Sequence, residues 1–168
     1  ARPDDDDLWY RLAWNRFTQK DYYPAHTHLA KALALAPAHR DYLAFMGALL
    51  HETGNWEEAA AYLEDALKAA GDGSSARHRE AQEGHSYSNE EFEIWYNLGI
   101  VHKDLGNHQA SANAFHSAYT LSAKRGAKDS GAERVKYLAL AVEQSNKACD
   151  WRRLAELLPR LVRRLQAG

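Results

Sequence analysis

The chain has 168 residues and a formal net charge of −2, a size that suits one compact domain or one short repeat array. Its 30 Ala and 20 Leu are strong helix formers, whereas Val, Ile and Thr together number only 10, so the composition predicts an all-α fold. A hydrophobic fraction of 45% argues against disorder, and no apolar run reaches the roughly 18 residues of a membrane span. The near-neutral charge gives no reason to expect a nucleic acid partner.

An internal repeat organises the sequence. Three stretches, which begin at Trp9, Leu43 and Trp95, share a small residue four positions later and then a turn. A weaker fourth copy begins at Leu138. The turns lie at Lys20-Asp21, Gly54-Asn55, Gly106-Asn107 and Cys149-Asp150.

Each copy predicts two helices. Before the turn, apolar and small residues recur at the spacing of one helix face, and the Asn or Asp of the turn is a good N-cap for a second helix. Small residues such as Ala13, Gly47 and Gly99 allow the two helices to approach closely. A hairpin of this kind cannot bury its apolar face alone, so the copies are expected to stack on one another.

This pattern resembles the tetratricopeptide repeat (TPR), and the copy that starts Trp95-Tyr96-Asn97-Leu98-Gly99 is close to its consensus. The resemblance implies an all-α TPR-type helical-hairpin array of about four hairpins, which forms a right-handed superhelix with a C-terminal capping helix. We expect a single domain over 1–168, with repeats at about 6–39, 40–73, 92–125 and 135–168. The second and third copies lie farther apart along the sequence than the first and second copies do. This extra length predicts an inserted polar loop at about 72–90, which a capping box at Ser88-Asn89-Glu90-Glu91 ends. A second excess, from Ser122 to about Gly131, is expected to prolong the preceding helix.

The TPR resemblance also implies where a ligand would bind, because the first helix of each hairpin lines the concave side of such arrays. The candidate partner-binding residues on that face are Tyr10, Trp14, Phe17, Phe45, Ala48, His51, Tyr96, Asn97, Ile100 and Lys103. Large aromatic residues beside small ones suit a side chain of a peptide or helix. The alternative is that Trp14 and Phe17 are covered by the N-terminal segment or by an upstream helix.

Two TPR subtypes can be compared with this face. The clamp that holds acidic tails of heat-shock chaperones needs Lys, Asn and Arg, but the matching positions here hold no basic residue, and Glu93 would repel a carboxylate. The segment from Leu12 to His26 looks like the first repeat of TPR chaperones that escort bacterial type III translocator proteins. That likeness covers only about 20 residues, and the insertion after Gly71 departs from that family.

The remaining chemistry-bearing residues favour neither a metal nor catalysis. Nine His are present, but His26 and His28 point to different sides of a helix, and no metal-binding motif occurs. A single Cys excludes an internal disulfide and a cysteine-based zinc site. There is no phosphate-binding Gly-rich loop and no G-x-S-x-G, so we expect no enzyme, no metal and no cofactor.

The charges are uneven along the chain. Residues 1–7 carry a net charge of −3, and residues 147–168 carry +4. The final helix has Leu residues on one side and Arg residues mainly on the other, a pattern typical of a solvating cap, with an acidic partner or an anionic membrane surface as alternatives. Pro159 is expected to kink this helix or to end its first part.

The sequence therefore predicts a protein-protein interaction module, an adaptor or assembly chaperone that binds a peptide or helix in a concave groove. The alternative is a self-assembling scaffold, a homo-oligomer that forms through its apolar face and its oppositely charged ends. No hydrophobic secretion segment is present in these residues, and a cytoplasmic location is favoured.

Overall fold

The computed structural model describes residues 5–69, 91–124 and 131–166, which belong to two compact units, Ala1–Asn89 and Glu90–Gly168. These ranges contain eight α-helices and no strand, so the predicted all-α class is confirmed. In the first unit the helices are α1 (Asp6–Thr18), α2 (Tyr22–Leu35), α3 (Arg40–Glu52) and α4 (Trp56–Lys68). In the second unit they are α5 (Glu91–Asp104), α6 (His108–Lys124), α7 (Gly131–Lys147) and α8 (Trp151–Gln166).

The helices pair as the four predicted hairpins, α1–α2, α3–α4, α5–α6 and α7–α8. The predicted lengthening of the helix after Asn107 is seen as far as Lys124, where α6 ends after 17 residues. The polar loop expected at about 72–90 lies outside the described residues, apart from its boundary with α5, and so does most of its capping box. Helix α8 continues through Pro159 and does not end there.

All four hairpins turn in the same way. The residue at the turn has a left-handed backbone in each, with φ of 60° at Lys20, 81° at Gly54, 75° at Gly106 and 56° at Cys149. The next N–H then bonds to the carbonyl five residues earlier, as from Asp21 to Arg16 (2.9 Å) and from Asp150 to Ser145 (2.9 Å). This is the Schellman arrangement that satisfies the last carbonyls of a helix. The fourth and weakest copy is therefore a true copy of the hairpin.

The turn Asn and Asp residues precede the second helices as predicted, but only some of them cap with their side chains. Asp150 accepts a hydrogen bond from the backbone N–H of Arg153 (3.1 Å). Asn55 instead uses its side-chain amide to donate to the Thr53 hydroxyl (3.2 Å). Asp5, one residue before α1, accepts from the N–H of Leu8 (3.1 Å), where the helix dipole favours an anion.

Close helix approach builds the core of each hairpin. In the first unit Gly47 of α3 faces the buried Leu63 of α4, and in the second unit Gly99 of α5 faces the buried ring of Phe115 of α6. The Ser111 hydroxyl, fully buried, donates to the Gly99 carbonyl (2.7 Å) across the same contact. The second helices can approach the first ones only because these positions lack a side chain.

We expect Gly47→Ala and Gly99→Ala to destabilise the protein. A Cβ at Gly47 would lie 2.6 Å from Leu63 Cγ, and one at Gly99 would lie 2.7 Å from Phe115 Cδ1. Overpacking of this kind costs about 1 to 3 kcal/mol of unfolding free energy, measurable by urea denaturation. Gly131→Ala is the control, since no atom of the described residues lies within 4 Å of its Cβ position. Equal stability of all three variants would contradict the close approach.

The left-handed turns predict a substitution that stabilises the protein. Lys20→Gly should raise the free energy of unfolding by about 1 kcal/mol, because an L-residue is strained at positive φ and glycine is not. Lys20→Ala is the matched control: it removes the exposed side chain but keeps the Cβ, and should give no such gain. Denaturation midpoints of both variants check this, and a gain in Lys20→Ala as large as in Lys20→Gly would refute the backbone explanation.

Candidate functional site

Four of the predicted partner-binding residues meet in the first unit. Tyr10, Trp14 and Phe17 follow one another at spacings of four and three residues, which places them on one side of α1, and Phe45 of α3 lies against all three. We call these four residues the aromatic cluster. They belong to different hairpins, so the stacking of α3 on α1 creates the cluster.

The rings of the aromatic cluster pack in the geometries that aromatic pairs prefer. The Phe45 centroid lies 5.6 Å from Tyr10, 5.3 Å from Trp14 and 5.2 Å from Phe17, with near-perpendicular planes for the first and the last pair. Trp14 and Phe17 stack on each other at 5.8 Å. Each ring therefore fixes the orientation of its neighbours.

Two rings of the aromatic cluster are buried and form what we call its floor; the other two are partly exposed and form what we call its top. Phe45 is 1% exposed and Tyr10 is 4% exposed, whereas Trp14 and Phe17 are half-buried. In this structure Phe45 and Tyr10 therefore support the other two rings, and Trp14 and Phe17 carry the accessible surface.

Tyr42 strengthens this floor, although the sequence pattern did not single it out. Its ring stacks on Tyr10 at 5.0 Å, and its hydroxyl donates to the carboxylate of Asp6 (3.0 Å). Burial first, and then the charge of Asp6, raise the pKa of Tyr42 well above its usual value, so the phenol stays protonated as a donor. The only sequence signal for it was an aromatic residue next to the repeat position Leu43.

Ala48 and His51 extend the surface along α3. They follow Phe45 at intervals of three residues, and both are partly exposed. The His51 ring lies 4.0 Å from the carboxylate of Glu52. Together they add a small apolar position and a polar position to the α3 side of the aromatic cluster.

The other four predicted residues lie on α5 in the second unit. Tyr96 packs on Phe115 (5.8 Å) and Tyr137 (5.2 Å), and the ammonium of Lys136 sits 4.6 Å above its ring. Ile100 also packs against the core of this unit. Tyr96, Asn97, Ile100 and Lys103 are all partly exposed, so each keeps some surface for a ligand.

Two of the histidines are held by contacts with neighbouring side chains. His28 stacks on Trp9 at 5.5 Å, and burial first, then the charges of Lys31 and Arg16, lower its pKa and favour the neutral ring. His108 lies within hydrogen-bond distance of the buried Gln144 (3.0 Å). Over the described residues, no group of three or more His, Cys, Asp or Glu side chains is placed to hold a metal. Nor is any described helix long and apolar enough to cross a bilayer.

A family model identifies the chain's relatives. The family described as the cilia and flagella-associated protein 70 middle TPR-like domain matches residues 1–123, nearly three quarters of the chain. No curated protein matches the chain.

Solved structures with the same fold are TPR proteins of low sequence identity. Residues 41 to the end of MamA from Desulfovibrio magneticus RS-1 match with 19% identity and a TM-score of 0.69, over 98% of this chain and 78% of that one. BtubC from P. vanneervenii matches with 14% identity and a TM-score of 0.71, over 97% and 65%. The Sgt2 TPR domain from Aspergillus fumigatus matches with 18% identity and a TM-score of 0.63, over 86% and 82%. These likenesses confirm the TPR fold.

The burial pattern of the aromatic cluster predicts unequal costs of truncation. Phe45→Ala should destabilise the protein by about 3 to 5 kcal/mol, the usual cost of deleting a buried aromatic ring. Phe17→Ala should cost less than half as much, since Phe17 is half-buried. Urea denaturation of both variants, followed by circular dichroism, measures the difference. Equal losses would show that the cluster has no division into floor and top.

Proposed function

The chain belongs to the family of the cilia and flagella-associated protein 70 middle TPR-like domain, and from this premise we propose that it is an adaptor or assembly chaperone that binds a peptide or helix of a partner protein. The general role of a protein-interaction module accords with the TPR-type fold, which is usually a non-enzymatic scaffold. Because a fold does not name its ligand, the binding mode is argued from the residues.

The observation that carries the proposal is the pair of half-buried rings, Trp14 and Phe17, on a buried aromatic floor. Aromatic side chains held by packing lose little conformational freedom on binding, and they dominate interface energetics. Ala48 leaves room beside them for a ligand side chain. An apolar or aromatic anchor of the partner fits this surface.

The α5 residues complete the proposal with polar contacts. The Asn97 amide can both donate to and accept from a ligand backbone, and Lys103 can pair with an acidic side chain. Ile100 adds apolar area between them. In this proposal apolar contacts with Trp14 supply most of the affinity at the aromatic cluster of the first unit, while Asn97 and Lys103 offer polar contacts on the α5 surface of the second unit.

A self-assembling scaffold is the second candidate, and it is supported by the charges. Asp5, Asp6 and Asp7 cluster at the start of α1, whereas α8 carries five Arg residues and one Glu. If copies associate through these groups, the mass in solution will rise with protein concentration and fall with added salt. A partner-binding monomer will show neither dependence.

Trp14→Ala should weaken partner binding by about 2 kcal/mol or more, roughly thirtyfold in Kd, if Trp14 is the central anchor. The purified chain is used as bait in an extract, the captured protein is identified, and its affinity is measured by titration calorimetry. Trp56→Ala is the matched control, because Trp56 is also in the first unit and is 38% exposed. Equal affinities of the wild type and the folded Trp14→Ala variant would refute the proposed site.

A further inference from the structure

Helix α8 carries one wide apolar stripe, and only one edge of it is buried. Leu154 and Leu157 pack into the second unit and are 8% and 0% exposed. The other side is formed by Trp151, Ala155, Leu158, Val162 and Leu165, which we call the α8 face. Its four large members are exposed to 68% (Trp151), 46% (Leu158), 43% (Val162) and 63% (Leu165). The apolar side of this helix is therefore wider than its buried part.

A groove lies beside the α8 face. Its volume is about 600 Å³, with Val142, Glu143 and Asn146 of α7 on one side and Trp151, Leu154, Ala155 and Leu158 of α8 on the other. The Glu143 carboxylate is paired with the ammonium of Lys147 (2.7 Å). Two neighbouring helices with an apolar channel between them form the surface on which amphipathic helices dock.

The third copy of the repeat shows how the equivalent side of its second helix is covered. The third and fourth copies are offset by 43 residues, from Trp95 to Leu138. The α6 residues that correspond to Ala155, Leu158, Val162 and Leu165 are Ala112, Phe115, Tyr119 and Ser122, and these are 0%, 0%, 8% and 0% exposed. On α6 this side packs against α7, and its Phe115 also fills the space beside Gly99 of α5. The same side of α8 has no helix upon it among the described residues.

The covering helix α7 also shows the chemistry required of an occupant. Tyr137, Leu138 and Ala141 of α7 join the core with Phe115 and Tyr119 of α6. An occupant of the α8 face therefore needs large apolar residues followed by a small residue one turn later, on a single helix face.

Charge distinguishes the α8 face from its counterpart on α6. Arg152 and Arg163 are eleven residues apart, three helical turns, so they flank the α8 face on the same side. Their counterparts on α6 are the uncharged Gln109 and Thr120. Within the described part of the chain neither arginine pairs with a carboxylate; the Arg163 Nε donates to the Pro159 carbonyl (3.2 Å). Two copies paired face to face would bring these arginines together.

From the exposed face, the equivalent occupied face and the flanking charges, we propose that the α8 face binds an amphipathic helix of a partner protein, with acidic residues beside its apolar stripe. This surface is distinct from the aromatic cluster of the first unit. It gives the protein a second interaction site, and it does not rest on the function proposed above.

The test uses the full chain and a labelled synthetic peptide. The peptide copies α7, Gly131–Lys147, with glutamate in place of Arg134, Lys136 and Lys147, and binding is followed by fluorescence anisotropy. We expect saturable binding, weakened at least tenfold by Leu158→Glu. Leu35→Glu is the matched control, since Leu35 of α2 is 44% exposed and lies in the other unit, and it should bind as the wild type does.

A charge exchange tests the flanking arginines. The double variant Arg152→Glu/Arg163→Glu should bind the acidic peptide at least tenfold more weakly, and it should bind better a peptide in which lysine replaces Glu133 and Glu143 and the basic residues are kept. Trp56→Ala, at a residue of the first unit that belongs to neither proposed surface, should leave both affinities unchanged.

Three results would overturn the proposal. The first is no saturable binding of the acidic peptide. The second is equal binding by the Leu158→Glu and Leu35→Glu variants. The third is a dimer in light scattering that Leu158→Glu dissociates, because the face would then be occupied by a second copy.

Discussion

Close approach of paired helices at one small residue is the constraint on which the rest of the structure depends. Gly47 meets Leu63 and Gly99 meets Phe115 at distances that leave no space for a methyl group. A left-handed turn in each hairpin reverses the chain direction, so that the second helix can pack closely against the first. The residues with the left-handed backbone are Lys20, Gly54, Gly106 and Cys149. A hairpin built in this way has an apolar face on each side, and it must be covered by a neighbour.

That requirement explains the aromatic cluster. Stacking α3 on α1 buries Phe45 and Tyr10, and the buried floor holds Trp14 and Phe17 at the surface in fixed orientations. The hydrogen bond from Tyr42 to Asp6 ties the same two helices together. The residues that stabilise the stack are therefore the ones that shape the proposed binding surface, and truncation at the floor and at the top will have different consequences.

The requirement that an apolar face be covered by a neighbour also applies to the α8 face. The second helix α6 presents an apolar side to the helix that follows, and this side is filled by α7. On α8 the corresponding residues are exposed, and arginines border them. The two surfaces that we propose for interaction are therefore of two kinds: the face of the first helices, where the aromatic cluster lies, and the exposed side of the second helix α8.

The sequence alone determined the helical class, the four hairpins and their turns, because residue spacing and the Gly, Asn and Asp positions act locally. The sequence also selected Trp14, Phe17 and Phe45 as candidate partner-binding residues, since helical periodicity places the first two on one side of α1. It could not distinguish floor from top, because the burial of Phe45 and Tyr10 depends on contacts between hairpins. Nor could it reveal that Leu158 and Val162 are exposed while their counterparts Phe115 and Tyr119 are buried. Both pairs are apolar at the same helical spacing, and their burial depends on how closely other helices pack against them: Phe115 fills the space beside Gly99 and joins a core with α7.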